Sequence, residues 1–294
     1  MTTVAVIGLG IMGGPMAANL LKAGFDVVGH NRSRDKVDQL VAQGGRGADD
    51  VAGAVRDADV VLTMLPDSPD VEGVVLADGG VLDSAAPGTL LIDASTIRPD
   101  VSVRLAEAAR ERGVRAVDAP VSGGEAGAIE GSLSIMVGGA DADVAAARPV
   151  LEAVGSTVVH VGPAGSGQTV KAANQLIVAG TIELVAEALV FLEAHGVDTE
   201  AAVQVLAGGL AGNRILDRKA AGMISRQFAP GFRVDLHHKD LGIVTAAARE
   251  AGVAIPLGAL VAQLMGALRA EGHGSLDHSA LLLLVEQLSG RRSG

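Results

Sequence analysis

The sequence predicts an α/β domain built on a mainly parallel sheet, followed by an all-α domain, the two joined by one long helix. Three observations predict it. In the first half, short β-branched runs alternate with helical patterns, and the central runs are continuously apolar, the mark of strands covered on both faces. Beyond Gly165 no convincing strand pattern occurs. From about Gln168 to about His195 the chain reads as one apolar helical stretch, which at 1.5 Å per residue spans roughly 40 Å and is long enough to bridge two domains.

The domains are expected over 1–163 and 164–294. In the first, the strand-like runs are 3-TVAVIG-8, 26-DVVGH-30, 59-DVVLTML-65, 89-TLLID-93, 115-RAVDAP-120, 133-LSIMVGG-139 and 157-TVVHV-161, with helical patterns between most of them. The long helix is apolar on nearly every side (Leu176, Ile177, Val178, Leu184, Val185, Leu189, Val190, Phe191), so it is expected to be buried. Further helices are expected over 199–207, 213–225, 239–251, 256–271 and 277–289, and the tail 290-GRRSG-294 is expected to fray.

Composition narrows the function. The chain has 294 residues, 49% hydrophobic and 19% charged, enough to bury a substantial core. A net charge of −11 argues against nucleic acid as a partner, because phosphate binding needs clustered positive charge. Cys is absent, which fits a reducing compartment and removes thiol nucleophiles and cysteine–zinc sites; no metal is expected. The first 21 residues carry no charged side chain, but they lack a basic leader and are interrupted by Gly8, Gly10, Gly13, Gly14 and Pro15, unlike a signal sequence. No later stretch reaches the ~18 uninterrupted apolar residues of a membrane span, so the expected location is the cytoplasm, with no membrane partner.

The opening 3-TVAVIGLGIMGGPMAANLLKAGFDVVGHNRS-33 is a strand, a Gly8-x-Gly10-x-x-Gly13 turn, a helix and a second strand. Gly8 permits the tight turn, Gly10 lets the backbone approach a pyrophosphate, and Gly13 lets the helix pack against the sheet. Free N–H groups at the helix start attract phosphate. In that context Gly8, Leu9, Gly10, Ile11, Met12 and Gly13 predict a Rossmann-type dinucleotide site; a glycine-rich turn in another α/β fold is the alternative. The second strand ends at Asn31, Arg32 and Ser33. An uncharged Asn31 does not repel a 2′-phosphate and Arg32 can clamp one, helped by Ser33 and Arg34, so NADP(H) is the preferred cofactor, with NAD(H) possible. The alternative is that Arg32 and Arg34 are solvated surface charges.

Ligands of open α/β sheets sit beyond the carboxyl ends of the strands. Three segments fall there: Met64-Leu65-Pro66, Ser95-Thr96 and Ser122-Gly123-Gly124. The last combines a hydroxyl with unobstructed backbone N–H groups and suits a carboxylate, though alone it also reads as an ordinary turn.

Of the 23 Lys and Arg residues only five are Lys, and one of them, Lys171, opens the oily helix. Lysine can give and take a proton, whereas arginine is effectively always charged. Lys171, Asn174 and Gln175 fall at i, i+3 and i+4 and share a face. A buried stem with its ammonium in water is the commoner reading of such a lysine. Against it, Tyr and Cys are absent, which thins the list of proton donors, and the helix begins where the first domain ends, so its first turns are expected to line the cleft. Desolvation and nearby positive charge would bring Lys171 toward the working pH. His237 and His238 are rival acid–base residues, but adjacent histidines cannot both face one pocket.

The segments 7-IGLGIMGGPMAANLLKAG-24, 93-DAST-96, 118-DAPVSGG-124, 165-GSGQTVKAANQ-175 and 238-HKDL-241 resemble the β-hydroxyacid dehydrogenases over nearly the whole chain. Segments 173-ANQLIVAG-180, 208-GGLAGNRILDRKA-220, 230-PGFRVDLHHKDL-241 and 268-LRAEGHGSLDHSAL-281 are most similar to the branch that reduces tartronate semialdehyde, with Asn213 standing where a smaller residue is typical. The resemblance implies that Lys171 is the general acid in reduction. It implies that Ser122, Gly123 and Gly124 hold the substrate carboxylate with Asn174 and Gln175 alongside. Thr96 and Lys239 are implied at the nicotinamide end of the cofactor. The implied activity is NAD(P)H-dependent reduction of a small carboxylate-bearing aldehyde to a hydroxy acid, by a homodimer or homotetramer. Rivals are the same chemistry on 3-hydroxyisobutyrate or succinic semialdehyde, and a non-catalytic dinucleotide sensor.

Overall fold

A computed structural model describes residues 1–291 of the chain; of the tail expected to fray, 292–294 lie outside the described residues. The chain divides into two compact units, Met1–Lys171 and Ala172–Gly294, so the division falls inside the long helix Ser166–Ala194.

The first unit is an α/β fold on one nine-stranded sheet. Its strands are β1 (Thr3–Ile7), β2 (Asp26–His30), β3 (Arg46–Gly47), β4 (Val60–Thr63), β5 (Leu90–Asp93), β6 (Arg115–Asp118), β7 (Val121–Ser122), β8 (Leu133–Gly138) and β9 (Gly155–Gly162). The order is β3-β2-β1-β4-β5-β6-β8-β7, with β9 also paired to β8. The pairs from β3 to β6 are parallel, β8 runs antiparallel to β6 and β7, and β9 is parallel to β8. All seven expected strands form. Sequence patterning misses β3 and β7, because two residues carry no periodicity and Pro120, which lacks an N–H, interrupts the run before β7.

Both faces of the central strands are covered. Val4 and Val6 of β1 enter one apolar cluster with Leu62, Ile92 and Leu133, while Ala5 and Ile7 enter another with Val61, Leu91 and Ile97. That two-sided burial is why these strands read as unbroken apolar runs. Because β1 lies between β2 and β4, the chain reverses its direction of travel across the sheet at β1, and the turn after β1 stands at that switch point.

The second unit is helical: after the long helix come Thr199–Ala207, Arg214–Ile224, Val234–Glu250, Pro256–Leu268 and Leu281–Leu288. Asn213 caps the second of these, its Oδ1 accepting the N–H groups of Ile215 and Leu216 at 3.0 and 2.9 Å. The helix expected from 239 starts earlier, at Val234, because the carbonyls of Leu276 and Gly274 accept the first N–H groups, those of Val234 and Asp235, at 2.9 and 3.0 Å.

The long helix departs from the expectation of burial on all sides. Ala179, Ile182, Val185, Ala186, Leu189 and Val190 enter the core, but Ile177, Leu184 and Phe191 are 67%, 54% and 62% exposed. One face packs into the unit, and the described residues leave the opposite face exposed. By length and composition the helix would also suffice to cross a membrane; half of its most apolar window is buried inside the protein.

Glu183 sits on the buried side, 4% exposed, and its Oε2 has no hydrogen-bond partner among the described residues. Burial, with a smaller contribution from Glu187, pushes its carboxyl up to about 7. A folded-state value above the unfolded one stabilises the fold at low pH, and that stability is lost as pH rises toward the folded value. Glu183→Gln is therefore expected to raise stability at pH 8 by on the order of 2 kcal/mol and to make little difference at pH 5. Urea unfolding midpoints at the two pH values check this, and an equal change at both would refute it.

Candidate active site

The glycine turn is held from three sides. Gly8 has φ +99°, and a Cβ there would lie 2.3 Å from the carbonyl oxygen of Met64. A Cβ on Gly13 would lie 1.9 Å from the carbonyl oxygen of Gly8, so only glycine allows the helix Gly13–Lys22 to start this close to the turn. A Cβ on Gly10 would meet no atom within 4 Å; it would project to the open side of the turn, where a dinucleotide pyrophosphate fits. The Leu9 N–H donates to Asn31 Oδ1 at 3.0 Å and the Gly8 N–H to His30 O at 3.0 Å, tying the turn to the end of β2. The Met64 N–H donates to Ile7 O at 2.9 Å and the Leu65 N–H to Ser95 Oγ at 2.9 Å. The ends of β1, β2, β4 and β5 thus bring together Gly8 to Gly13, Asn31, Met64, Leu65 and the segment carrying Thr96.

Ile11, Arg32 and Ser33 are exposed beside this turn. Arg34 is engaged elsewhere, with Asp38 at 3.2 Å and Asp49 at 2.5 Å, whereas Arg32 at the strand end is exposed. The residues fit a dinucleotide.

Deeper in the same unit lies a buried polar layer. Asp93 and Asp118 are register partners at the ends of β5 and β6. Asp93 Oδ1 accepts the Thr63 hydroxyl at 2.7 Å and the Ser95 N–H at 3.2 Å, while Oδ2 has no partner among the described residues. Burial pushes the Asp93 carboxyl up, and the Asp118 charge adds to it against the bonds from Ser95 and Thr63. Asp118 accepts the N–H groups of Gly165 at 2.7 Å and Gln168 at 2.9 Å; burial pushes it up too, opposed by these bonds.

Lys171 is 6% exposed, and its Nζ donates to Val121 O at 2.8 Å. Its ammonium is thereby placed next to the Ser122-Gly123-Gly124 loop. Gly123 and Gly124 have φ +145° and +67°, conformations that favour glycine.

Within the helical unit, Asn174, Gln175 and Lys239 are tied through one carboxylate. Asn174 Nδ2 donates to Gln175 Oε1 at 2.8 Å, Gln175 Nε2 donates to Asp240 Oδ2 at 2.5 Å, and Lys239 Nζ lies 2.8 Å from Asp240 Oδ1. His237, a rival proton carrier in the sequence, is fully buried. Its Nδ1 lies 2.9 Å from His278 Nδ1 and its Nε2 3.3 Å from Gln175 O. Burial, aided by His237, drives His278 well below the usual imidazole value. The pair is part of the packing of the helical unit.

Sequence reasoning placed Ser95 with Thr96 beyond a strand end but did not single out Asp93, Asp118, Gln168 or Asp240 as site residues. A signal existed for two of them: an aspartate closing each of the runs 90-LLID-93 and 115-RAVD-118 interrupts a buried strand and needs partners.

Residues 3–162 match the family model for the NAD binding domain of 6-phosphogluconate dehydrogenase, and residues 165–285 match that for the NAD-binding region of NADP-dependent 3-hydroxyisobutyrate dehydrogenase. The chain belongs to the β-hydroxyacid dehydrogenases. As such it is an NAD(P)-dependent oxidoreductase acting on a CH–OH group. Among β-hydroxyacid dehydrogenases it is 40% identical to 2-hydroxy-3-oxopropionate reductase of Escherichia coli, over 97% of this chain and 98% of that one. It is 39% identical to NAD-dependent L-serine dehydrogenase of Pseudomonas aeruginosa, over 99% and 100%. Among solved structures, Mycobacterium tuberculosis 3-hydroxyisobutyrate dehydrogenase with L-serine superposes with a TM-score of 0.87 at 36% identity, over 96% of this chain and 98% of that one.

Proposed function

We propose that this β-hydroxyacid dehydrogenase reduces tartronate semialdehyde (2-hydroxy-3-oxopropanoate) to glycerate with NADPH. The observation that carries the reading is Lys171: a buried ammonium, held 2.8 Å from Val121 O, beside a loop of small residues suited to a carboxylate. The 40% identity to the E. coli reductase supports the choice of substrate.

NADPH, when bound, supplies a hydride to the aldehyde carbon. The Ser122 hydroxyl and the backbone of Gly123 and Gly124 bind the substrate carboxylate, with the Asn174 carboxamide orienting the adjoining hydroxyl and Gln175 supporting Asn174. Lys171 Nζ stabilises the charge forming on the aldehyde oxygen and gives it a proton, so aldehyde, hydride and proton together make the alcohol. In the reverse direction the neutral amine takes that proton back. The turn Gly8–Gly13 takes the pyrophosphate, Arg32 the 2′-phosphate, Met64, Leu65 and Pro66 flank the nucleotide, and Thr96 and Lys239 serve its nicotinamide end. The exposed residues Ile177, Leu184 and Phe191 recur every seven residues, an apolar stripe along one helix face that supports a homo-oligomer.

A second reading, oxidation of L-serine or 3-hydroxyisobutyrate with NAD, is favoured by the 39% identity to the serine dehydrogenase. Following reduced-cofactor fluorescence against three- to six-carbon semialdehydes and hydroxy acids separates the two, and the absence of Trp and Tyr leaves little protein background. The expected result is a kcat/KM for tartronate semialdehyde about tenfold or more above every other substrate, a difference of ~1.4 kcal/mol in transition-state binding. A higher value for serine or 3-hydroxyisobutyrate would overturn the substrate reading.

A further inference from the structure

Lys171 donates to a peptide oxygen, Val121 O, yet a long side chain on a helix is only as well placed as the helix itself. The helix Ser166–Ala194 has no acidic residue in its first turn. The anion comes from 47 and 50 positions away in sequence: Asp118, at the end of β6, accepts the Gly165 N–H through Oδ1 at 2.7 Å and the Gln168 N–H through Oδ2 at 2.9 Å. A carboxylate that engages both oxygens on the N–H groups of a helix start fixes both its height and its rotation. Two glycines make room for it. A Cβ on Gly138 would lie 2.5 Å from Asp118 Oδ1, and one on Gly167 2.7 Å from Asp118 Oδ2 and 2.4 Å from Met136 O.

Gln168, 1% exposed, extends the same anchor sideways. Its Oε1 accepts the Ile97 N–H at 3.1 Å and its Nε2 donates to Ser95 O at 2.8 Å, so one carboxamide holds the peptide groups on both sides of Thr96. Three residues after Asp118, Val121 O receives the Lys171 ammonium. The contacts therefore close a ring: Asp118 to the helix start, the helix to Lys171, Lys171 to Val121, and Val121 back along the chain to Asp118. Gln168 links this ring to Thr96.

We infer that Asp118 and Gln168 form a brace of positioning residues that sets Lys171 and Thr96 at a fixed distance from each other. The inference rests on the reading of Lys171 as the proton donor and adds the two residues that aim it. Neither touches the reacting atoms. An asparagine at 118 keeps one acceptor and turns an NH2 toward an N–H; a leucine at 168 leaves Ile97 N and Ser95 O without the carboxamide.

The test compares Asp118→Asn and Gln168→Leu with the wild type in four measurements: kcat, KM, NADPH bound per chain by fluorescence titration, and the primary deuterium isotope effect with NADPH deuterated at the transferred position. Loss of aim by about 1 Å lowers turnover on the order of 10- to 100-fold. The expected result is that fall in kcat per NADPH-binding chain, KM changed less than about threefold, and an isotope effect that rises because the chemical step becomes limiting. A merely structural role would lower the binding-competent fraction and leave kcat per binding chain and the isotope effect at wild-type values; that outcome overturns the brace. Where Asp118→Asn does not fold, Gln168→Leu, which keeps the carboxylate anchor, decides by the same criteria. Lys171→Ala separates the two levels: an active Lys171→Ala defeats the proton-donor reading, whereas an inactive Lys171→Ala beside normal brace variants defeats the brace alone.

Discussion

Lys171→Ala is expected to lower kcat by on the order of 10³-fold while NADPH still binds, since a positioned general acid contributes about 10²- to 10⁴-fold and, in the proposed mechanism, the same ammonium would stabilise the forming alkoxide. The fold should survive. The lysine is buried and donates to a carbonyl oxygen, Val121 O, and an unmet carbonyl costs about 1–3 kcal/mol, a fraction of a domain's stability. Lys171→Arg sharpens the result. Arginine keeps the charge but does not release its proton near neutral pH, so it should remain inactive if proton transfer is the role. Restored turnover in the arginine variant would reduce Lys171 to an electrostatic group. Parallel loss of NADPH binding and turnover in the alanine variant would make it a structural lysine.

Arg32→Asp is expected to cut the ratio of NADPH to NADH efficiency by about 10²-fold or more. Loss of a charged hydrogen bond accounts for about 1.5–3 kcal/mol, and a carboxylate facing a 2′-phosphate adds repulsion. Each 1.4 kcal/mol is a factor of ten. Arg32 is exposed, so the change should leave folding intact. Asn31 carries no charge, and its Oδ1 already binds the Leu9 N–H, so it does not replace the lost clamp. The ratio of kcat/KM for the two coenzymes is the measurement, and an unchanged ratio would make Arg32 a solvated surface charge.

Much of the proposed site is readable in the chain because its parts are contiguous. The glycine turn announces itself by spacing between a strand and a helix, and Ser122-Gly123-Gly124 and Lys171-x-x-Asn174-Gln175 are each local. The brace was not legible. Asp118 and Gln168 are 50 positions apart, and a lone aspartate after a strand does not say which N–H groups it will meet. The long helix shows the opposite failure. Its composition argued for burial all round, yet Ile177, Leu184 and Phe191 are exposed, because composition reports how apolar a face is and not what covers it. His237 and His238 looked alike as acid–base candidates, and a helix that starts at Val234 instead of 239 directs the first of them into the core.

Local period and spacing in the chain encode a parallel sheet buried on both faces, a helical second half, a glycine turn suited to a dinucleotide and a lysine at the head of an oily helix. Which distant groups hold those pieces in place is fixed only in the folded molecule. Partners for buried polar atoms are chosen by folding, not by adjacency. A carboxylate taken out of water must find donors wherever the chain brings them, and here it finds them at the start of the helix that carries Lys171.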